Sequence, residues 1–263
     1  MVGYPLVDLV WIKLILTPLA ITAIALAGRR WGPAVGGWIA GLPLTSGPVS
    51  LYLALEQGRT FAATAAVNSL ASGAAVGGFC LAYAAAASHG GWIASTVCGL
   101  SVFFCAAALL GFLPLSLLPT FVAVTILLVG VRFLLPVPDR GFDDMTPPWW
   151  DLPSRVVVAT GIVFLLTEGA QILGPRWSGL LAPFPLFVNV TVAFAHRNHG
   201  IQAGILVLRG TVMALFAFAV FFLVVGGLLP RFGIGWTYAI AAALAVTVNG
   251  FSLRGIHGNI EVD

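Results

Sequence analysis

The chain has 263 residues, of which 60% are hydrophobic and only 8% charged, and its formal net charge at pH 7 is +3. Soluble domains carry about 25% charged residues, so this composition excludes a water-soluble protein and predicts an integral membrane protein. The sequence contains no run of basic residues, which excludes nucleic acid as a partner.

Helix-length apolar segments follow one another along nearly the whole chain, and a spanning helix needs about 20 such residues. We predict nine spans, at residues 6–27, 33–55, 61–88, 92–110, 115–135, 154–173, 177–195, 201–229 and 234–251. The number becomes eight or ten if the fourth and fifth spans, which meet near Gly111 and Pro114, are divided differently. Residues 1–263 then form a single all-α membrane domain, a transmembrane helical bundle in contact with the lipid bilayer.

The second predicted span is interrupted by residues 41–48, GLPLTSGP. A proline inside a helix costs about 3 kcal/mol, and glycine adds a smaller penalty, so this run predicts a broken helix. In lipid, the freed backbone groups need partners from protein or from a watery cavity. We therefore predict that this stretch forms half of a substrate-binding site, with the residues Pro43, Thr45, Ser46, Gly47 and Pro48.

Residues 136–153 form the only sizeable polar connection between predicted spans. Its aspartates, among them Asp151, and the pair Trp149-Trp150 are typical of an interfacial loop with tryptophan at headgroup depth. We predict that this loop joins two halves of the protein.

An internal repeat relates these halves when the second is placed on the first at a shift of 142 positions. The matched pairs are Gly32-Pro33 with Gly174-Pro175, Gly37 with Gly179, Ala40 with Ala182, Pro43-Leu44 with Pro185-Leu186, Gly58 with Gly200, and Gly91 with Gly233. The predicted organisation is a first repeat at 6–112, a linker helix and loop at 113–153, and a second repeat at 154–254. Four spans on each side of one linker span give the repeats opposite orientations, an inverted repeat. In topology alone, this plan resembles small drug/metabolite-type exporters.

The second half supplies the other predicted site residues. Pro185, Asn189 and Thr191 belong to the repeated break, and Arg209 and Glu168 lie inside predicted spans, where a charge costs about 3 kcal/mol. We predict that Arg209 binds an anionic solute and that Glu168 couples transport to protons. The alternatives are a structural salt bridge between the two, an Arg209 that snorkels to the surface, and neutral polar groups that only join helices.

Signatures of enzymes and cofactors are sparse. His196 and His199 are three residues apart, but no third ligand is nearby and zinc requires three or four, so we predict neither a metal nor another cofactor. No catalytic constellation is found, and no Walker-type loop would let this chain hydrolyse ATP.

The sequence therefore predicts a secondary transporter of a small metabolite, a permease or exporter. The alternatives are a non-transporting assembly or structural subunit and, third, a membrane enzyme that acts on a lipid-linked substrate. Whether the chain forms a homodimer or binds another membrane protein is left open. We expect the protein in a bacterial-type inner membrane, and the arginine bias across nine spans predicts the N-terminus outside and the C-terminus in the cytoplasm.

Overall fold

A computed structural model describes residues 6–44, 46–138, 148–162 and 184–257, with side chains described from residue 17 to residue 251 of these ranges. All regular secondary structure in these ranges is helical, which confirms the predicted all-α class. The nine helices found there are α1 Leu6–Trp31, α2 Pro33–Ala40, α3 Ser46–Glu56, α4 Arg59–Ala87, α5 Trp92–Gly111, α6 Leu117–Leu134, α7 at 151–162, α8 Leu186–Leu228 and α9 Ile234–His257.

Five of the described helices are long and apolar enough to cross a membrane, as expected of an integral membrane protein. They are α4, α5, α6, α8 and α9. The predicted third, fourth and fifth spans agree with α4, α5 and α6 to within two residues at each end. In α8 the helix is interrupted at Gly200, whose φ of 80° and ψ of 179° are not helical, so α8 consists of a first segment, residues 186–199, and a second segment, residues 201–228.

The helices α4 and α8 form the centre of the molecule, and α5, α6 and α9 surround them. Most of α4 and α8 is buried, whereas the outer helices expose large apolar side chains. Examples on these outer helices are Leu109, Ile126, Phe133, Trp236 and Val246. Lipid tails are as apolar as these side chains, so the outer helices present the surface that a bilayer would contact.

The central pair, α4 and the second segment of α8, runs antiparallel. A Cβ atom placed on Gly73 would lie 3.7 Å from the ring of Phe218, and one placed on Gly226 would lie 3.8 Å from the carbonyl oxygen of Ala63. Residues further along α4 thus contact residues that come earlier in α8, so the two helices run in opposite directions. Glycine allows this close approach because it has no side chain to separate the helices.

Short helix α2 packs directly on the backbone of α8. A Cβ atom on Gly37 would lie only 1.9 Å from the carbonyl oxygen of Val207, and one on Gly210 would lie 1.9 Å from that of Ala34. The single hydroxyl hydrogen of Thr211 is shared between the carbonyl oxygen of Val207 in its own helix, at 2.9 Å, and that of Gly37, at 3.1 Å. Only glycine fits at these two positions, so this contact fixes α2 against the centre of the bundle.

Contacts between helix ends define two ends of the bundle. At one, the basic end, Arg29 bonds Asp151 and Arg197 lies over the ring of Trp92. At the opposite end, Arg59 donates to the carbonyl oxygen of Phe232. Eight arginine side chains lie in the described ranges, and the contacts and helix positions place six at the basic end and two, Arg59 and Arg231, at the other. The six are Arg29, Arg30, Arg132, Arg155, Arg197 and Arg209.

Candidate functional site at the two helix breaks

The first break separates α2 from α3. Helix α2 ends at Ala40 and α3 begins at Ser46, so the second predicted span consists of two helices in this part of the chain. Between them, the amide of Leu44 donates to the carbonyl oxygen of Leu42 at 2.7 Å, which closes a tight turn centred on Pro43. The amide of Gly47 then donates to the carbonyl oxygen of Pro43 at 2.9 Å and begins α3.

The second break, before α8, has the same backbone hydrogen bonds. The amide of Leu186 donates to the carbonyl oxygen of Phe184 at 2.7 Å, and the amide of Asn189 donates to that of Pro185 at 2.8 Å. Pro185 has a φ of −76° and a ψ of 51°, which is close to an inverse γ-turn. Proline favours this turn because its ring fixes φ near −65°.

Both breaks lie about halfway along the helices that they contact. Gly41 packs against Thr211 and Ala214, near the middle of the second segment of α8. The ring of Phe184 lies 5.8 Å from the rings of both Phe103 and Phe104, near the middle of α5. The turns at Pro43 and Pro185 therefore lie at mid-depth in the bundle rather than at its ends.

The predicted residues at the first break are only partly directed inwards. Ser46 and Gly47 are buried, and Pro43 is half-buried. Pro48 is exposed, so its ring helps to shape the start of α3 but does not line an interior site. Thr45 lies outside the described residues.

At the second break, Pro185, Asn189 and Thr191 are all buried. Among the described residues, neither the side-chain oxygen of Asn189 nor that of Thr191 has a hydrogen-bond partner. A buried polar atom without a partner costs about 1–3 kcal/mol, and such atoms are found where water, an ion or a ligand binds. These two side chains are therefore the strongest candidates for contact with a solute.

The described hydrogen bonds of Arg209 are with the end of α6 and not with either break. Its Nη1 donates to the carbonyl oxygens of Leu135 at 3.1 Å and Pro136 at 3.2 Å, just after the end of α6. An arginine that bonds carbonyl groups at the end of a helix stabilises that end, so the described contacts give Arg209 a structural role that the sequence did not predict. Glu168, the predicted proton-coupling residue, lies outside the described residues.

Two groups of polar contacts in the structure were not predicted from the sequence. The hydroxyls of Ser50 and Tyr238 are 2.7 Å apart and join α3 to α9, beside Phe221. Asp151, which we predicted to lie in an interfacial loop, is fully buried at the start of α7 and accepts hydrogen bonds from three residues. The spacing of Asp151 and Arg155, four residues apart on one helix face, was the available signal.

The histidine pair does not form a metal site with other described residues. His196 Nδ1 lies 3.3 Å from the hydroxyl of Tyr83, and the part of the chain with described side chains contains no group of three His, Cys, Asp or Glu residues that could hold a metal ion.

No protein family model, curated protein or solved structure matches this chain.

Proposed function

We propose that this protein is a secondary transporter of a small metabolite, with its solute site at the two helix breaks. The observation that supports this most directly is the recurrence of one proline-centred turn at mid-depth, first at Pro43 and again at Pro185. Broken helices at mid-depth are typical of transporter sites because their ends leave backbone groups free for a solute. The unpartnered side chains of Asn189 and Thr191 add polar groups beside the second break.

The same proposal includes an inverted repeat. At the shift of 142 positions, Gly58 corresponds to Gly200, and these residues have nearly the same conformation, with φ of 86° and 80°. Helices α5 and α9 begin at corresponding residues, Trp92 and Ile234. Helices that correspond under an inverted repeat run in opposite directions, as α4 and the second segment of α8 do.

The inverted repeat also gives the proposed topology. We propose that α2 and α3 cross the membrane as one broken span, and that the two segments of α8 belong to successive spans. With α7 in the sixth predicted span and the first segment of α8 in the seventh, the proposed number of crossings is nine. By the positive-inside rule the basic end is cytoplasmic, and the membrane is of the bacterial inner type.

The glycines of α4 give no support to the alternative of a structural subunit. That alternative assigns the glycine-rich faces to a partner protein. In α4, however, Gly73 approaches Val124 and Phe218, and Gly77 approaches Leu127 and Leu128. These glycines already bring helices of the same chain together, so they are not free to bind a partner. For the third alternative, a membrane enzyme, no observation on the described residues offers support.

The test is cysteine accessibility through residues 41–48 and 183–189, in a variant without Cys80, Cys98 and Cys105. A membrane-impermeant maleimide is applied from each side of oriented vesicles. We expect labelling at mid-depth positions in both breaks, because a solute pathway must be wet. Positions on the lipid-facing side of α6, such as Ile126, serve as the unlabelled control. Uniform protection of both breaks would refute the pathway.

Proton coupling is tested separately, in proteoliposomes that contain the purified protein. We expect the Glu168→Gln variant to lose solute uptake driven by a pH gradient while it keeps exchange of solute for solute. Uptake that responds to the gradient as in the parent protein would remove Glu168 from the mechanism. Arg209→Gln is expected to lower stability more than affinity for solute, because the described contacts of Arg209 are with the end of α6.

A further inference from the structure

Asp151 joins three separate elements at the basic end. Its carboxylate accepts a hydrogen bond of 2.9 Å from Arg29 at the end of α1 and a bond of 2.6 Å from Asn198 in the first segment of α8. Arg155, one turn further along α7, donates to both carboxylate oxygens at 3.1 Å. No part of the Asp151 side chain is exposed.

The three donors differ in how firmly they are held. The side chain of Arg155 is 8% exposed, and its guanidinium lies 5.0 Å from the centre of the Phe194 ring. Arg29 is at the edge of the group, with 32% of its side chain exposed. Arg155 is thus the most deeply buried of the three donors, Asn198 is half-buried, and Arg29 is the most exposed.

The donors to Asp151 also differ in the proposed repeat to which they belong. Arg29 belongs to the first repeat. Asp151 lies at the end of the linker and is bonded to the second repeat through Arg155 and Asn198. If the repeats separate at the basic end, the Arg29–Asp151 pair must break. Asp151 would still keep a positive partner and a hydrogen-bond donor, so opening does not leave an unpaired buried charge, which is the costly outcome for a buried ion pair.

Towards the opposite end, the described contacts between the repeats have uncharged acceptors. Arg59 donates to the carbonyl oxygen of Phe232 at 3.3 Å in an exposed contact, and the hydroxyls of Ser50 in α3 and Tyr238 in α9 are 2.7 Å apart. In the Arg29–Asp151 pair both partners are charged, which makes it stronger than either of these contacts. In the described conformation the basic end is therefore closed by the strongest of these contacts between the repeats.

We infer that the Arg29–Asp151 ion pair is a latch between the two repeats, which keeps the basic end closed and breaks when the solute site opens to that side. This inference rests on the proposed function. Because Arg29 is partly exposed, the latch is weak enough to open reversibly during a transport cycle.

The test uses Ser46→Cys as a reporter at mid-depth in a variant without the native cysteines. Labelling by an impermeant maleimide is measured from the basic end, which is identified with Arg30→Cys in a separate sample. We expect Arg29→Gln to increase the labelling rate from that side about two- to five-fold, the shift that a partly exposed ion pair supplies. Arg29→Lys should remain close to the parent.

The matched control is Arg30→Gln, which removes the same charge from the neighbouring residue. Arg30 is exposed and does not contact Asp151, so we expect no change in labelling. Equal effects of Arg29→Gln and Arg30→Gln would overturn the latch, because surface charge alone would then account for the result.

A second measurement separates failure of the latch from failure of the transport proposal. Spin labels at positions 31 and 149, both exposed and close to the two sides of the ion pair, report the distance between α1 and α7. We expect Arg29→Gln to broaden this distance distribution toward longer values. An unchanged distribution would overturn the latch. If the distribution broadens but the Ser46→Cys reporter is never labelled, the solute pathway alone would be overturned.

Discussion

The contact between α2 and α8 provides the most direct test of the structure. Replacing Gly37 with alanine puts a Cβ atom 1.9 Å from the carbonyl oxygen of Val207, whereas carbon and oxygen atoms in contact normally lie about 3.3 Å apart or more. The obstacle is backbone, which cannot turn aside as a side chain can. Helix α2 must therefore move away from α8 by about 1.5 Å.

The size of the effect follows from three contributions. Alanine stabilises a helix by about 1 kcal/mol relative to glycine. Against this, overpacking costs about 1–3 kcal/mol, and the hydrogen bond from Thr211 to the carbonyl oxygen of Gly37 contributes about 1 kcal/mol that is weakened by the shift. The free energy of unfolding should fall by about 1–3 kcal/mol, which lowers the Tm by about 3–10 °C for a chain of this size.

The assay is thermal unfolding of the purified protein in detergent, followed by circular dichroism. Gly130→Ala is the matched control, because a Cβ atom at this position in α6 would meet no other atom within 4 Å. We expect this control to be as stable as the parent protein or slightly more stable. If Gly37→Ala unfolds at the same temperature as Gly130→Ala, the close packing of α2 on α8 is wrong.

Three further predictions concern single contacts. Gly58→Ala and Gly200→Ala should each lower the free energy of unfolding by about 1–3 kcal/mol, because both glycines have a positive φ with an extended ψ that other residues avoid. An alanine that leaves stability unchanged at either position would contradict the described backbone conformation. A double-mutant cycle with Ser50→Ala and Tyr238→Phe should give a coupling energy of about 1 kcal/mol in thermal unfolding, and additive effects would argue against their bond. Asn189→Leu should raise the Tm and abolish solute flux, since it removes a buried oxygen that has no described partner; a fall in Tm would mean that this oxygen is satisfied.

The sequence was sufficient to predict the helical class and the positions of the outer helices. Composition indicates a membrane protein, and an apolar run with a turn at each end sets the limits of α5 and α6. The proline and glycine residues near Pro43 also marked a broken helix correctly. These features are local, so a single chain segment contains the information that determines them.

The sequence could not predict which side chains meet. Arg209 was a candidate solute anchor, but its hydrogen bonds are with carbonyl groups after α6, some seventy positions earlier in the chain. Asp151 was assigned to an interfacial loop, because several aspartates close to a pair of tryptophans are typical of a membrane interface. It is buried because Arg29, Arg155 and Asn198 all donate to it, and two of these lie far from it in sequence. Partners at that distance are determined by packing.

The two breaks suggest how such a site divides its tasks between backbone and side chains. Gly47 and Asn189 occupy corresponding positions, and their amides make the same hydrogen bond to the carbonyl oxygen of a proline four residues earlier. The backbone of the two breaks is thus equivalent, but one has no side chain where the other has a buried amide. Under the proposed function, equivalent turns would permit the same movement in each half, and the side chain of Asn189, present in only one half, would contact the solute from one side. A site built in this way can have symmetric motion and asymmetric recognition.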